Sequence, residues 1–516
     1  MMKESILFFH LPEYSLIENL CHSLSGRCIL NFGIPRVANK KNTDGPAICP
    51  APAAVMTSAG KKVVLIIAVL AGFLTPFDSS AVIIALPSMG AEFHMDAITL
   101  SWITTAYLLA TAVFLVPIGK FADIHGRKRV FLSGIAVFSA ASLAMTVVPF
   151  TGLLITIRVI QGFGAAMIFG TALAILSSVF PPGERGRALG IYIMANYFGL
   201  TMGPLLGGLL TEHFGWRSIF LVNVPIGIIA CLLILWKLPG EWAECRGEKF
   251  DLTGSVLYAG TLISLITGFS LFPNPAGIVL SAISGVFAII FVMYELRIPV
   301  PVLNMQLLTK NRVFAFSSIA GLINYAVTFA VTFLLSLDLQ FTKGFSPEQA
   351  GIILIVQPAL MAVLSPVSGQ LSDRIDPQII ASAGMALTTL GLFMLVFLAE
   401  STPLWYILMS LVVLGIGFGL FSTPNINAIM SSVEKKYLGV ASGMNGTMRL
   451  IGQTFSMGIA MMLFAIFIGP VEITPAYYPE FLTSVHYTFV IFTILCLFGI
   501  WASVMRGKSE APPASS

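Results

Sequence analysis

Charge is what this chain has least of. Asp, Glu, Lys and Arg make up 10% of its 516 residues against 57% hydrophobic ones, and Phe outnumbers Lys and Arg together, 39 to 28. A soluble domain carries nearer a quarter charged residues, so a water-soluble globule is excluded. Cysteine is scarce as well. Cys21, Cys28 and Cys49 precede the first long apolar run, Cys231 and Cys496 sit inside runs, and Cys245 lies in a loop. No CxxC pair or metal spacing occurs, which leaves free thiols and no disulfide framework. His94, His125 and His213 lie in or beside loops at no ligand spacing. There is no GxxxxGK[ST] loop, and the glycine-rich "GFGAAMIFG" opens no nucleotide fold, so direct ATP drive has no support. No metal and no cofactor are expected. The formal charge of +4 says little, because placement matters more than the sum.

Long apolar runs fill the rest. A spanning helix needs roughly 20 apolar residues, and runs of that kind follow one another near 63–87, 100–119, 130–149, 152–179, 188–210, 217–236, 252–272, 276–295, 313–340, 348–371, 378–398, 403–430, 438–468 and 482–505. These runs are continuous rather than alternating, which excludes a barrel. The expected class is an all-α integral membrane protein with fourteen spans. Basic residues set its orientation. If the first span starts inside, the inner loops hold Lys120, Arg127, Lys128, Arg129, Arg185, Arg187, Lys237, Arg246, Lys249, Arg297, Lys310, Arg312, Arg374, Lys435 and Lys436, and the outer loops only Arg217 and Lys343. Both termini are then cytoplasmic, and an odd number of spans would scramble the bias. The first ~55 residues stand outside this pattern. They read either as a poorly ordered extension or as sequence upstream of a start at Met56, whose "MTSAGKKVV" leads into the first span. "RGKSEAPPASS" reads as a disordered end.

The chain repeats itself. Between the second and third spans lies Gly119, Asp123, Gly126, Arg127, Lys128, Arg129, and Gly369, Asp373, Arg374 return between the tenth and eleventh after 250 residues. "ERGRALG" before the fifth span is echoed by "EKKYLGVASG" before the thirteenth, with Gly190 and Gly439 in register. Two six-helix halves with an inserted pair account for both echoes, and repeats of this kind place a transporter's substrate site at the repeat interface.

The first of these loops resembles the G-x-x-x-D-x-x-G-R-R/K signature of the major facilitator superfamily, with Ile124 where a basic residue is common. "RVIQGFGAA" resembles that superfamily's fourth-helix motif, and "GLTMGPLLGG" the fifth-helix motif of its antiporters. "WRSIFLVNVPIG" and "FDSSAVIIALP" resemble the fourteen-helix drug/proton antiporter branch, the EmrB/QacA type. The resemblance covers about residues 60–505. It implies a major facilitator fold: an extension 1–60, a six-helix bundle 61–237, a linker with two extra helices 238–312, a second bundle 313–505 and a tail 506–516.

Each motif has a plain reading beside a sharper one. Arg127, Lys128 and Arg129 enforce topology, but topology needs neither Asp123 nor two glycines. The sharper expectation is a conformational latch, Gly119, Asp123, Gly126, Arg127 and Arg129 with Gly369, Asp373 and Arg374, in which Asp123 meets a basic side chain and a helix N-terminus across the half-interface. Gly199, Gly203 and Gly207 share one helix face, suited to tight packing. Pro204 and Gly208 add a kink, and the resemblance implies a hinge that prevents a leak.

Charges inside a membrane are costly and mark function. Asp78 in the first span and Arg158 in the fourth come out at compatible depths, with Gln161 on the face of Arg158. They are either a structural ion pair or a proton-coupling site in which Asp78 carries the proton and Arg158 tunes it. Arg449 falls near mid-membrane in the thirteenth span. Asp338 is expected at the outer end of the ninth, as an interfacial acid hydrated from outside or a vestibule acid drawing in cationic substrate. Asn324, Tyr325, Gln357, Asn425 and Asn427 are candidate polar lining, with Phe and Met as adaptable apolar surface. The reading is a proton-coupled multidrug antiporter of the plasma membrane, not an enzyme, whose partners are lipid, protons and amphipathic cationic or neutral compounds, and which has no nucleic-acid partner. The chain is expected to act as a monomer. Two alternatives stand beside it: an exporter of one metabolite or siderophore, and a non-transporting membrane sensor with the same fold.

Overall fold

The computed structural model describes residues 58–238, 240–242, 248, 250–298, 301–303, 305–372, 374–433 and 438–507. The expected N-terminal extension, Asp373 of the latch and most of the C-terminal tail lie outside the described residues. Among those described, fourteen helices are long and apolar enough to cross a membrane. They are α1 Gly60–Phe93, α2 Ala97–His125, α3 Arg127–Met145, α4 Thr151–Val179, α5 Arg187–Phe214, α6 Arg217–Lys237, α7 Leu252–Ser270, α8 Pro275–Glu295, α9 Arg312–Thr342, α10 Pro347–Ser372, α11 Pro377–Val396, α12 Leu404–Ser431, α13 Val440–Phe467 and α14 Pro475–Met505. The all-α class and the fourteen spans are as the sequence implies.

Continuous apolar runs make helices here because backbone groups in lipid must bond within their own segment. Prolines within α1 (Pro76, Pro87), α2, α5, α6, α10 and α12 are absorbed rather than terminating. In particular α1 does not end at Pro87 but runs on to Phe93. Asp78 therefore lies fifteen residues before that end, roughly 22 Å at 1.5 Å per residue, deeper than Pro87 would suggest. Glu92, near the end of α1, is clamped by Arg217 through two bonds of 2.8 and 2.6 Å and by the Trp216 indole at 2.6 Å.

The helices α1–α6 pack on one another, as do α9–α14, and α7 lies along the seam between α2 and α13. Tyr258 of α7 donates to the carbonyl of Ala112 in α2 at 3.0 Å, while α8 leaves most of its surface outward.

One face of the bundle, called basic below, carries the start of α1 and the α2–α3 loop. The other is the opposite face. The halves are sealed at the opposite face. Ser336 and Gln340 of α9 donate to the carbonyls of Ile83 and Ile84 in α1, each at 3.0 Å. Gly208 of α5 lies against the Pro347 carbonyl, and Gly351 of α10 against that of Pro204, so closely that neither site has room for a Cβ. His213 and Glu348 meet at 3.3 Å, and His94 and Glu472 at 3.4 Å. Toward the basic face the seam opens. Gly190, two turns before Tyr197, and Gly443 and Gly446, before Arg449, have nothing within 4 Å of where a Cβ would sit.

Arg506 departs from the expected disordered tail. Its side chain is buried, donating to Pro377 O at 2.9 Å, Asn425 Oδ1 at 3.1 Å and Ser317 Oγ at 3.3 Å. Burial pulls this guanidinium down to about 10, with Asp376 opposing. It fastens the end of α14 to α9, α11 and α12.

Candidate functional site

A cavity lies between the halves at mid-bundle, with about 1020 Å³ of empty space including the part open to solvent. Helix α1 gives it Thr75, Pro76, Ser79 and Ser80; α2 gives Tyr107; α4 gives Phe169; α5 gives Asn196, Tyr197 and Pro204. From the other half come Tyr325 and Phe329 of α9, Gln357 and Met361 of α10, Phe418 of α12, and Arg449 and Gln453 of α13. Aromatic rings with scattered amides and hydroxyls suit an amphipathic organic molecule.

Directly behind Tyr107 sits a sealed polar cluster. Asp78 and Arg158 are fully buried and joined by Nη1 to Oδ2 at 2.7 Å. Gln161 couples them: its Oε1 accepts from Arg158 Nη1 at 2.6 Å, and its Nε2 donates to Asp78 Oδ1 at 3.0 Å and to Ser142 Oγ at 2.9 Å. Asn223 of α6 donates to the same Asp78 oxygen at 2.8 Å. Arg158 Nε donates to the Ile103 carbonyl at 3.1 Å, and the guanidinium lies 4.3 Å from the Tyr107 ring centroid. Five helices thus converge on this cluster, three of them at the carboxylate itself. Three donors from α4 and α6 occupy three of the roughly four acceptor sites of this carboxylate.

The contact between Asp78, Arg158 and Gln161 follows the sequence reading. Asn223, Ser142 and Tyr107 do not, although Asn223 stands inside "WRSIFLVNVPIG" as a lone amide in an apolar run. The proposed lining residues divide. Tyr325 and Gln357 line the cavity. Asn324, one residue and so about 100° around the helix from Tyr325, points away and donates to Met385 Sδ at 3.5 Å. Asn425 and Asn427 lie in the last two turns of α12, near the basic face, where Asn425 donates to Ser317 O at 3.0 Å and Asn427 to Ser372 Oγ at 2.8 Å. Asp338 is not a hydrated interfacial acid. Helix α9 continues past it to Thr342, winding its last turn as a π-helix, and packs on α1, so Asp338 is fully buried beside Thr342 and Lys343. Lys343 bonds to the carbonyls of Ala399, Glu400 and Thr402.

Within one half, the latch residues of the α2–α3 loop make the following contacts. Asp123 Oδ1 accepts from Arg127 Nε at 2.7 Å, and Arg127 Nη1 donates to Ser178 Oγ at 2.7 Å, bonds that tie α2, α3 and α4 of one half. The acid at the N-terminus of α3 is Glu241, from the segment after α6. It accepts from Lys128 N at 2.8 Å and approaches Arg129 at 3.5 Å. Gly126, at φ +121°, has no room for a side chain beside it. Arg374 and Gly369 lie at the end of α10, the latter against Thr423.

In the fifth-helix motif Gly199, Gly203 and Gly207 all face α1, their Cβ positions 2.6 Å from Phe73 O, 2.5 Å from Ser80 Cβ and 2.8 Å from Ala81 Cα. Gly208 and Pro204 face α10 instead. The motif therefore welds α5 to α1 on one side and closes the opposite face on the other.

The Major Facilitator Superfamily model matches residues 68–457 and 317–516. The chain belongs to this superfamily. The Cephamycin export protein CmcT of Amycolatopsis lactamdurans is 35% identical over 409 residues, covering 77% of this chain and 84% of that protein. Multidrug resistance protein Stp of Mycobacterium tuberculosis is 33% identical over 397 residues, 75% of this chain and 73% of that one. Riboflavin transporter RibZ of Clostridioides difficile is 31% identical over 400 residues, 78% and 87%. A bacterial homolog of the human lysosomal transporter Spinster, solved inward-facing and unoccupied, shares the fold with a TM-score of 0.64 at 16% identity, covering 87% of this chain and 98% of that one. This superfamily member is a multi-pass membrane transporter, not an enzyme.

Proposed function

We propose that the chain exports amphipathic drug-like compounds across the plasma membrane in exchange for protons, by rocking its two halves about the central cavity. The basic face is cytoplasmic, as the distribution of Lys and Arg requires, so the state described here is open to the inside. The observation that carries the reading is the pairing of two sites one side chain apart. An aromatic cavity holds the cargo, and behind Tyr107 a sealed carboxylate, Asp78, can exchange its hydrogen-bond partners only if helices move. Loading the proton frees Arg158 from Asp78, and release of the proton restores the pair. Export relatives such as Stp and CmcT support the direction and the breadth of cargo. The riboflavin transporter relative supports a second reading, a carrier dedicated to one planar aromatic metabolite.

The test is uptake of a panel of fluorescent compounds into inside-out proteoliposomes with and without an imposed pH gradient. Gradient-dependent accumulation of several unrelated compounds supports broad export. Accumulation of one supports the dedicated carrier, and accumulation that ignores the gradient removes proton coupling.

A further inference from the structure

The cavity wall contains Arg449 but no Asp or Glu. Among the described residues no carboxylate lies within ion-pairing distance of Arg449, whose guanidinium instead lies 5.3 Å from the Phe169 ring centroid, across the seam between the halves. Arg158 is the contrast. It lies behind the wall, fully buried, with its carboxylate supplied by Asp78. Arginine stays protonated at any working pH, so the cavity presents one permanent positive charge to whatever enters from the basic face.

We infer that Arg449 is the anion-recognising end of this cavity, and that its cargo is an amphipathic organic anion: an apolar or aromatic body bearing a carboxylate. The inference rests on the export reading for its direction of travel, and it replaces the cationic or neutral compounds expected from sequence. Three observations converge. A cation in a membrane cavity attracts an anion and repels a cation more strongly than it would in water, because the surroundings screen little. The planar fork of guanidinium matches a carboxylate's two oxygens, and Arg449 has no protein carboxylate competing for it. Gln453, one turn on, and Gln357 opposite supply amide donors on the same cavity, while Phe169, Tyr197, Tyr325, Phe329 and Phe418 supply faces for the body.

A cycle consequence follows from charge alone. Exporting a monoanion against entering protons moves one more positive charge inward than the proton count, whereas exporting a monocation moves one fewer. Export of the anion is therefore aided by an inside-negative potential.

The experiment uses the full-length protein and two dyes sharing one xanthene body, fluorescein, which is anionic and carries a carboxylate, and a rhodamine methyl ester, which is cationic. Binding to purified protein is read by fluorescence polarisation, and export by proteoliposomes. Wild type is expected to bind fluorescein in preference to the rhodamine. Arg449→Gln is expected to weaken fluorescein binding roughly 10- to 100-fold, the worth of a charge-assisted bond, and Arg449→Lys to weaken it less. Gln453→Glu, which places a carboxylate one turn from Arg449 without removing it, is expected to reverse the preference. This second variant guards against misfolding of the first. Preference for the rhodamine, equal affinity of wild type for both dyes, or fluorescein binding unchanged in Arg449→Gln and Gln453→Glu overturns the inference. Failure of the export arm with the binding order intact strikes the export reading and leaves the anion site standing.

Discussion

The two halves share their packing but not their chemistry. Gly134 meets Gly164 between α3 and α4, and Gly384 meets Gly417 between α11 and α12; Gly199 rests on the Phe73 carbonyl, and Gly452 on that of Leu322. Aligned on these contacts, Asp78, Ser142, Arg158 and Gln161 of the first half fall opposite Val327, Leu392, Leu411 and Leu414 of the second. All eight are fully buried. The same backbone arrangement therefore closes around an ion pair with its hydrogen bonds in one half and around branched aliphatics in the other. An apolar filling suffices to fold such a bundle, so the polar cluster is retained for another reason. The second half keeps its conspicuous charge elsewhere: Arg449 stands three residues before Gly452, as Asn196 stands three before Gly199, and both face the cavity.

The largest expected effect comes from breaking the cluster one residue at a time. Arg158→Leu leaves Asp78 buried with amides alone, and losing one partner of a buried pair costs about 3–5 kcal/mol. Little folded protein should survive detergent extraction, as seen by size-exclusion chromatography and thermal melting. Making the first half imitate the second at the four aligned positions, with Asp78→Val, Ser142→Leu, Arg158→Leu and Gln161→Leu, together with Asn223→Leu to remove the amide left without a partner, should restore most of that stability and still give no gradient-driven transport. Equal instability of the single and fivefold variants would show that the halves differ in more than these side chains.

Next comes Asp78→Asn, which keeps volume but cannot cycle a proton, and whose amide nitrogen cannot accept from the donors that now meet both carboxylate oxygens. Gradient-driven export should fall to background while binding of cargo persists in the protein that folds, with a stability loss of about 3 kcal/mol because Arg158 keeps its charge without a counter-ion. The decisive reading is proton release by purified protein on adding cargo, present in wild type and absent in the variant. Undiminished release would move coupling to another acid, with buried Asp338 the next to test.

What could be read from sequence follows the same divide. Fourteen spans were legible because apolar length is a property of each segment alone. Helix ends were less so, since Pro87 looks like a terminator but lies inside a helix whose neighbours tolerate the lost bond. Asp78 and Arg158 stood out because a charge in an apolar run is conspicuous. Ser142, Asn223 and Tyr107 did not, as small polar residues recur throughout the spans and only convergence in space singles them out. Asp338 was misplaced because depth was counted to a span end that lies further on. Glu241 could not be assigned at all, since its partner Lys128 is 113 residues away.

A smaller effect is expected where the halves touch. Gly351→Ala pushes a methyl into the Pro204 carbonyl and should favour states with the opposite face parted. In a background carrying cysteines at 213 and 348, positions now 3.3 Å apart through their native side chains, disulfide cross-linking should fall severalfold. Gly190→Ala, with open space around it, should leave cross-linking unchanged. A fall of the same size in both would mean that the glycines act through helix stability and not through the seam.

The smallest expected effect separates two helix caps. The N-terminus of α11 is capped by its own Asp376, which accepts from Gln378 N at 2.9 Å. The N-terminus of α3 has Gly126 in that position and borrows the distant Glu241. Removing either cap, in Asp376→Ala or Glu241→Ala, should cost about 1 kcal/mol of stability. The exposed Arg129 contact adds little, since an ion pair reaching into solvent is worth about 0–1 kcal/mol. The transport rates should differ. Asp376 caps α11 and faces Arg506 inside the second half, so its loss should leave the rate per folded molecule near wild type. Glu241 holds the α2–α3 loop, with its Asp123–Arg127 pair, to the segment leading into α7. Loosening it should slow transport a few-fold, and Asp123→Asn should slow it in the same way. Equal rates in Glu241→Ala and Asp376→Ala, measured per folded molecule, would reduce that loop to a topological and structural element with no part in the cycle.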